Sequence, residues 1–282
     1  MRRIVAYLQL VRIVNVFFTA IAVVAGGWIA TPGRFSPYLW LGAISAALIA
    51  AGANAYNDVV DVDSDKINHP NRPLVTEKLT PKQAIWLGSY LTLTGWIIGC
   101  FLPRWLFAIP VLVALLLLAY NRELKRKPWF GNIVVSFCGA LAPVFGAWIA
   151  GDVRLGAAPG FLALCGFMLR ELVKDAEDIP GDRIVGYRTA PIADSFLVFK
   201  IRFWFVSLLL AAGVLQVEND RDFHGLYFLL LAAVVLTFLV TIISLTFQWK
   251  ASDTVRSRHI SLLCKGMLAS GLIMLVVGRS NV

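Results

Sequence analysis

Apolar residues run along the chain in long blocks separated by short polar intervals. Nine such blocks, at 8–30, 38–57, 83–102, 104–120, 130–150, 158–177, 196–216, 225–248 and 260–278, approach or reach the roughly 20 residues that carry an α-helix across a bilayer. The pattern predicts an all-α polytopic membrane protein with nine transmembrane helices in a single bundle. The third and fourth blocks are joined only by Pro103 and Arg104. No linker, low-complexity tract or shift in composition interrupts the pattern, so residues 1–282 read as a single domain. The opening Met1-Arg2-Arg3 leads into a block containing Arg12 and Asn15, with no small-residue cleavage site, so a cleaved signal is not expected.

Composition agrees. Hydrophobic residues make up 59% of the 282 and charged residues only 15%, too little polar surface for a soluble domain of this length. Charge placement then suggests an orientation. With the N-terminus cytoplasmic, the loops on its side hold fifteen cations: Arg2, Arg3, Lys66, Arg72, Lys78, Lys82, Arg122, Lys125, Arg126, Lys127, Arg183, Arg188, Lys250, Arg256 and Arg258. The opposite loops hold five: Arg34, Arg104, Arg154, Arg221 and Arg279. This is a positive-inside bias in every loop, and it predicts an integral protein of the cytoplasmic membrane. The net charge of +9 is mostly topology. It suits membrane lipid and excludes nucleic acid as a partner for so little soluble surface. The four cysteines lie singly in apolar helices and read as core residues. The histidines carry no ligand-like spacing, and His69 reads as a plain loop residue.

Against this background residues 54–73, "NAYNDVVDVDSDKINHPNRP", stand out. At about 100° per residue Asn57, Asp61 and Asp65 share one helix face, with Asp58 at its edge and Asp63 pointing away. A second acidic stretch, "RELVKDAEDIPGDRIVGYRTAPI", follows four helices later and places Asp175, Asp178 and Asp182 within about 60° of one another, beside Glu171. Pro180 and Gly181 are expected to end that helix, so that Asp182 reaches in from the loop. Both stretches open on the same face of the bundle, as two fused and similar halves would arrange them.

Clustered carboxylates at a membrane face repel unless a cation sits among them. Oxygen ligands without cysteine or histidine select hard ions, Mg²⁺ or Ca²⁺. Mg²⁺ commonly shares a few carboxylates with substrate phosphates. Arg72, Arg188, and the loop "YNRELKRKPWFGN" with Tyr120, Lys125 and Arg126 could meet a diphosphate there. Arg122 and Lys127 are read as topological charge. A diphosphate whose remainder needs a membrane interior is an isoprenyl diphosphate. A cation transporter is the rival from another class, although its acids would lie near the bilayer midplane. These lie at helix ends near Trp86 and Trp129.

The motifs resemble those of the UbiA superfamily of intramembrane prenyltransferases. Asn57, Asp61 and Asp65 fit its N-x-x-x-D-x-x-x-D pattern, with Pro70, Arg72 and Pro73 following as P-x-R-P. Asp178 and Asp182 fit its D-x-x-x-D, and Tyr120 and Lys125 its Y-x-x-x-x-K. In the first helix Arg12 and Asn15 match the family's R-P-x-N, but its proline is replaced by isoleucine. The resemblance covers the whole chain. It implies a nine-helix bundle with a central lipid-accessible cavity, two Mg²⁺ ions, a prenyl diphosphate donor and a lipophilic acceptor. The expected metal ligands are Asn57, Asp61, Asp65, Asp175, Asp178 and Asp182, and the expected diphosphate contacts are Asn57, Arg72, Tyr120, Lys125 and Arg126. Asp61, Asp178 and Lys125 are the expected catalytic residues. The stretch from Arg170 to Ile192 is similar to that of the branch making digeranylgeranylglyceryl phosphate. That branch implies geranylgeranyl diphosphate as donor and a prenylglyceryl phosphate as acceptor, held by Arg12, Asn15, Lys174 and Arg188. Lys174 lies about 100° from Asp175, so it is not expected to share the metal face closely. The alternative within the family is an aromatic prenyltransferase of quinone biosynthesis, of the 4-hydroxybenzoate, naphthoate or homogentisate type.

Overall fold

The structure, a computed structural model, describes residues 2–217, 225–251 and 253–279. The loop position Arg221 lies outside the described residues. The described residues form twelve α-helices: α1 (Arg2–Leu10), α2 (Ile13–Ala30), α3 (Pro37–Val60), α4 (Val62–Asn68), α5 (Pro81–Gly99), α6 (Arg104–Arg122), α7 (Phe130–Ile149), α8 (Ala157–Ile184), α9 (Ala190–Ala193), α10 (Phe196–Val217), α11 (Gly225–Phe247) and α12 (Thr254–Arg279). Nine of them occupy the nine apolar blocks. Eight of these are long and apolar enough to cross a membrane. The ninth, α5, carries Lys82, Gln83, Thr92 and Thr94 among its apolar residues and falls short in hydropathy.

The helices close into a ring. α3 packs on α2, α5 and α6; α7 on α2, α6 and α8; α8 on α10 and α12; and α12 returns to α2. Without a hydrophobic drive between helices in lipid, close approach of small residues does much of the work. A Cβ on Gly146 of α7 would fall 1.8 Å from the Val23 carbonyl oxygen of α2, so these backbones touch. Large apolar side chains such as Phe17, Trp105 and Val240 point outward, as a lipid-facing surface requires.

Three local expectations are corrected. The first block is not one helix: it breaks at Arg12, which adopts a left-handed φ of 55° and ψ of 59° between α1 and α2. Such a conformation costs a non-glycine residue about 1–2 kcal/mol. Here it coincides with a guanidinium–Asp58 contact at 2.8 Å. The second acidic helix does not end at Pro180. α8 runs on to Ile184, so Asp182 is a helical residue and not a loop one. The reason is a side-chain substitute for the disturbed backbone ladder. Asn68 accepts from the Gly181 N–H at 2.9 Å and donates to the Asp178 carbonyl at 2.8 Å. The third correction concerns His69, which is not a plain loop residue: its Nε2 lies 3.0 Å from Asp178 Oδ1.

Candidate active site

The first motif spans the α3–α4 junction. Asp61 interrupts the helix at φ −93°, ψ 2°, yet the Asp61 and Asp65 amides still reach back four residues, at 3.0 and 2.8 Å. Asn57, Asp61 and Asp65 therefore keep one face across the break. Asn57 Nδ2 donates to Asp61 Oδ2 at 2.8 Å and so orients that carboxylate. Asp58, beside them, is buried and receives Arg12 at 2.8 Å and Arg72 at 3.1 Å. Arg72 is also ion-paired with Asp65. Stripping a partner from such a buried pair costs about 3–5 kcal/mol, so Asp58 anchors the two arginines. Asp63, in contrast, is exposed and paired with Lys66.

The second motif is bolted directly to the first. Ser64 of α4 donates to Asp182 Oδ1 of α8 at 2.9 Å, next to the Asn68 clamp. Gly181 is required at this crossing, because a Cβ there would stand 2.6 Å from the Ser64 carbonyl oxygen. Asp175 accepts from Asn132 Nδ2 of α7 at 2.9 Å.

The cationic loop between α6 and α7 folds over both. Leu124–Arg126 form a 3₁₀ turn, from which Lys125 reaches down to an ion pair with Asp61. Burial lowers the Lys125 pKa, and the adjacent Asp61 carboxylate opposes that shift. Arg126 lies over the Tyr187 ring at 5.1 Å. The loop re-enters α7 through Trp129, whose φ of 69° is strained for an aromatic residue. Its indole N–H donates to Asp194 at 3.0 Å, and Arg202 covers its ring at 4.8 Å.

Together these elements enclose a polar pocket of about 30 Å³ lined by Asp61, Asp65, Asp175, Asp178 and Asp182, with Arg72, Tyr120, Lys125 and Lys174. One helical turn further in, a far larger apolar cavity of about 550 Å³ opens. On α6, α7 and α8 the pocket residues Tyr120, Asn132 and Lys174 stand three positions from the cavity residues Leu117, Val135 and Glu171. A polar head and a long apolar tail thus have adjoining compartments.

The donor chemistry fits a hard divalent cation. Among the described residues, five carboxylates line the pocket with no cysteine or histidine in its lining, and His69 stands beside Asp178. Asp178 Oδ1 is buried without a hydrogen-bond partner among the described residues; the His69 contact has the distance of an ion pair without hydrogen-bond alignment. As they stand, no three acids, histidines or cysteines among the described residues are gathered closely enough to hold one ion. Asp61 is turned to Lys125, Asp65 to Arg72, Asp175 to Asn132 and Asp182 to Ser64. Burial, only partly offset by Arg72, raises the Asp65 pKa to about 6.

The expected residues are therefore unevenly placed. Asp61, Asp65, Asp175, Asp178, Asp182, Arg72, Tyr120 and Lys125 meet at one pocket. Asn57 stands behind Asp61, and Arg126 sits at the rim against Tyr187. Lys174 does line the pocket, despite its angular offset from Asp175. Asn15 lines the apolar cavity. Arg12 is committed to Asp58, and Arg188 is exposed and lines neither space. Ser64, Asn68 and Asn132 are site residues that the sequence pattern does not single out, and His69 is one that it reads as a plain loop residue. Asn68 and His69 lie inside the first motif's own stretch, which was the available signal.

Residues 18–263 match the model of the UbiA prenyltransferase family. Digeranylgeranylglyceryl phosphate synthase of Methanospirillum hungatei is 32% identical over 279 residues, covering 96% of this chain and 97% of that protein. The enzyme of the same name from Thermococcus kodakarensis is 34% identical over 193 residues, 66% of this chain and 68% of its own length. Among solved structures, one described as digeranylgeranylglyceryl phosphate synthase in membranes superposes over the whole of both chains, with a TM-score of 0.79 at 23% identity. A UbiA homolog from Archaeoglobus fulgidus bound to DMAPP and Mg²⁺ gives a TM-score of 0.68 at 17% identity, over 96% of this chain and 99% of that one. The chain belongs to the UbiA prenyltransferase family.

Proposed function

We propose that the protein transfers a geranylgeranyl group from its diphosphate to the free hydroxyl of a prenylglyceryl phosphate, forming an ether. The observation that carries this reading is the stacking of the carboxylate-and-cation pocket on the apolar cavity. The near full-length relatives named digeranylgeranylglyceryl phosphate synthase support these substrates. In this reading Asp61, Asp65, Asp175, Asp178 and Asp182, with Asn57 orienting Asp61, hold two Mg²⁺ ions. When bound, Mg²⁺ supplies charge that stabilises the departing diphosphate.

The chain's own residues do the rest. Arg72, Lys125 and Lys174 offer positive charge to the diphosphate oxygens, with Arg126 at the rim. Their charge counts most as the allylic carbon–oxygen bond breaks and negative charge gathers on the leaving group. The apolar cavity receives the prenyl tail and keeps water from the electron-poor allylic carbon. The acceptor hydroxyl then closes a carbon–oxygen bond to that carbon and gives up its proton. We further infer nine membrane crossings within one catalytic domain, with the N-terminus and the pocket on the cytoplasmic side, from the distribution of loop cations.

The test is a product assay on purified protein with Mg²⁺, pairing several prenyl diphosphates with prenylglyceryl phosphates and with aromatic acceptors. An ether product from glyceryl phosphates is expected. Prenylation of aromatic acceptors alone would discard the reading.

A further inference from the structure

The apolar cavity has two cations in its wall that the donor site does not use. Arg170 of α8 and Lys265 of α12 both line it, with Glu171 beside them. Arg170 is ion-paired with Glu171, whereas Lys265 makes no ion pair among the described residues. The nearby acid Glu177 is already engaged by Arg258 at 3.2 Å, and Arg12 is engaged by Asp58. The two cations against one carboxylate leave this wall a net positive charge.

Depth makes the charge expensive. Arg170 precedes Asp178 by eight residues, so it stands about 12 Å further into the bundle at 1.5 Å per residue. Lys265 lies eleven residues inside α12 from Thr254, about 16 Å along its axis. Ionisable side chains at such depth are costly in a lipid-facing bundle, and where they persist they face a cavity with a charged task. Lys265 is exposed and borders the cavity, so a phosphate seat differs from a merely snorkelling lysine in whether its loss costs phosphate preference.

We propose that Arg170 and Lys265 seat the phosphate of the acceptor lipid. This rests on the function proposed above and names its second binding subsite. A prenylglyceryl phosphate carries its phosphate two carbons from the reacting hydroxyl, so the two groups must bind close together. Arg170 meets that demand, being one helical turn from Lys174 of the donor pocket. Arginine contributes a planar fork that can hold Glu171 and a phosphate oxygen together, and lysine contributes a mobile point charge. The acceptor's chain then has the rest of the cavity. Two residues expected to serve the acceptor are placed elsewhere: Lys174 joins the carboxylates and Arg188 is exposed.

The test uses the full-length protein in lipid nanodiscs. Calorimetry would measure binding of a prenylglyceryl phosphate whose hydroxyl is methylated, and of the same molecule without its phosphate. The wild type should prefer the phosphorylated form by about tenfold, the scale of a charge-assisted contact. Lys265→Gln should lose that preference and Lys265→Arg should retain it. In turnover with Mg²⁺, Lys265→Gln should raise the acceptor KM about tenfold and leave the donor KM unchanged. Arg170→Gln alone would strand Glu171, so it is paired with Glu171→Gln, which leaves the net charge of the wall unchanged. The seat is refuted if Lys265→Gln keeps the wild-type preference, or weakens both analogues equally, which would mark a packing role. Those failures leave the proposed function standing so long as the wild type still prenylates glyceryl phosphates. A wild type that prenylates none of them sinks both.

Discussion

Asn68 of α4 grips the backbone of α8 at Gly181, accepting its N–H at 2.9 Å while donating to the Asp178 carbonyl at 2.8 Å. One amide thus supports a helix on both sides of Pro180 and ties the first acidic motif to the second. Asn68→Ala removes both bonds and leaves buried backbone groups unsatisfied, at about 1–3 kcal/mol each. A lowered Tm and a marked loss of turnover are expected together. Wild-type Tm and rate would mean that α8 runs through Pro180 without help.

The carboxylates themselves should behave differently. Asp61→Asn and Asp178→Asn keep the shape of each side chain and remove its charge. Turnover should fall about a hundredfold or more, the scale of losing one preorganised electrostatic partner. The fold should survive, since the helix ends keep their packing. Circular dichroism and Tm would separate the two effects, and near-normal activity in either variant would remove that residue from the site.

The contrast between these residues shows what a sequence of this kind makes legible. Helical periodicity is local, so the spacing of Asn57, Asp61 and Asp65 was enough to place them on one face. The break at Asp61 did not disturb it, because the backbone bonds continue through. Pairings between distant residues have no such local trace. Asn68 meets Gly181, and Asn132 meets Asp175, across many residues and different helices. A polar residue near a helix end looks the same whether it is solvated or clamped. The extension of α8 past Pro180 was unreadable for that reason, since its cause lies in α4. Lys174 shows the limit of the helical wheel itself: a long flexible side chain reaches a pocket that its Cα direction would not assign to it.

Acid should weaken metal binding through Asp65. Burial raises its pKa to about 6, above the usual carboxylate range. A metal must displace a proton bound there, so Mg²⁺ affinity should fall as pH is lowered through about 6. Isothermal titration with Mg²⁺ across that range would show it, with proton release on the acid side. In Asp65→Asn this component of the pH dependence should vanish along with tight binding. An affinity flat between pH 5 and 7, a window set around that pKa, would contradict the assignment.

Sidedness is open to direct measurement. Lys66, Arg188 and Arg154 are all exposed, the first two beside the pocket motifs and the third at the opposite end of α8. In a cysteine-free background, Lys66→Cys and Arg188→Cys should react with an impermeant thiol reagent only from the cytoplasmic side. Arg154→Cys should react only from the other. Labelling of all three from one side would break the proposed topology.

The cavity should also measure the donor's tail. Ala163 lines it on α8, fifteen residues before Asp178, about 22 Å from the carboxylates along the helix. Only the far end of a long prenyl chain reaches that depth; a geranyl chain ends well short of it. Ala163→Phe places a ring in that path, and a well-packed wall yields little to it. The geranylgeranyl diphosphate KM should then rise about tenfold or more with geranyl diphosphate unaffected, a shift of about 1–3 kcal/mol between the two donors, as hydrophobic pockets give. Competition between the two donors in one vessel reads that ratio directly and is insensitive to the fraction of active protein. If both donors lose equally, the ring has disturbed helix packing and the tail runs elsewhere. If neither changes, the tail leaves the cavity before Ala163, through a gap between helices toward lipid.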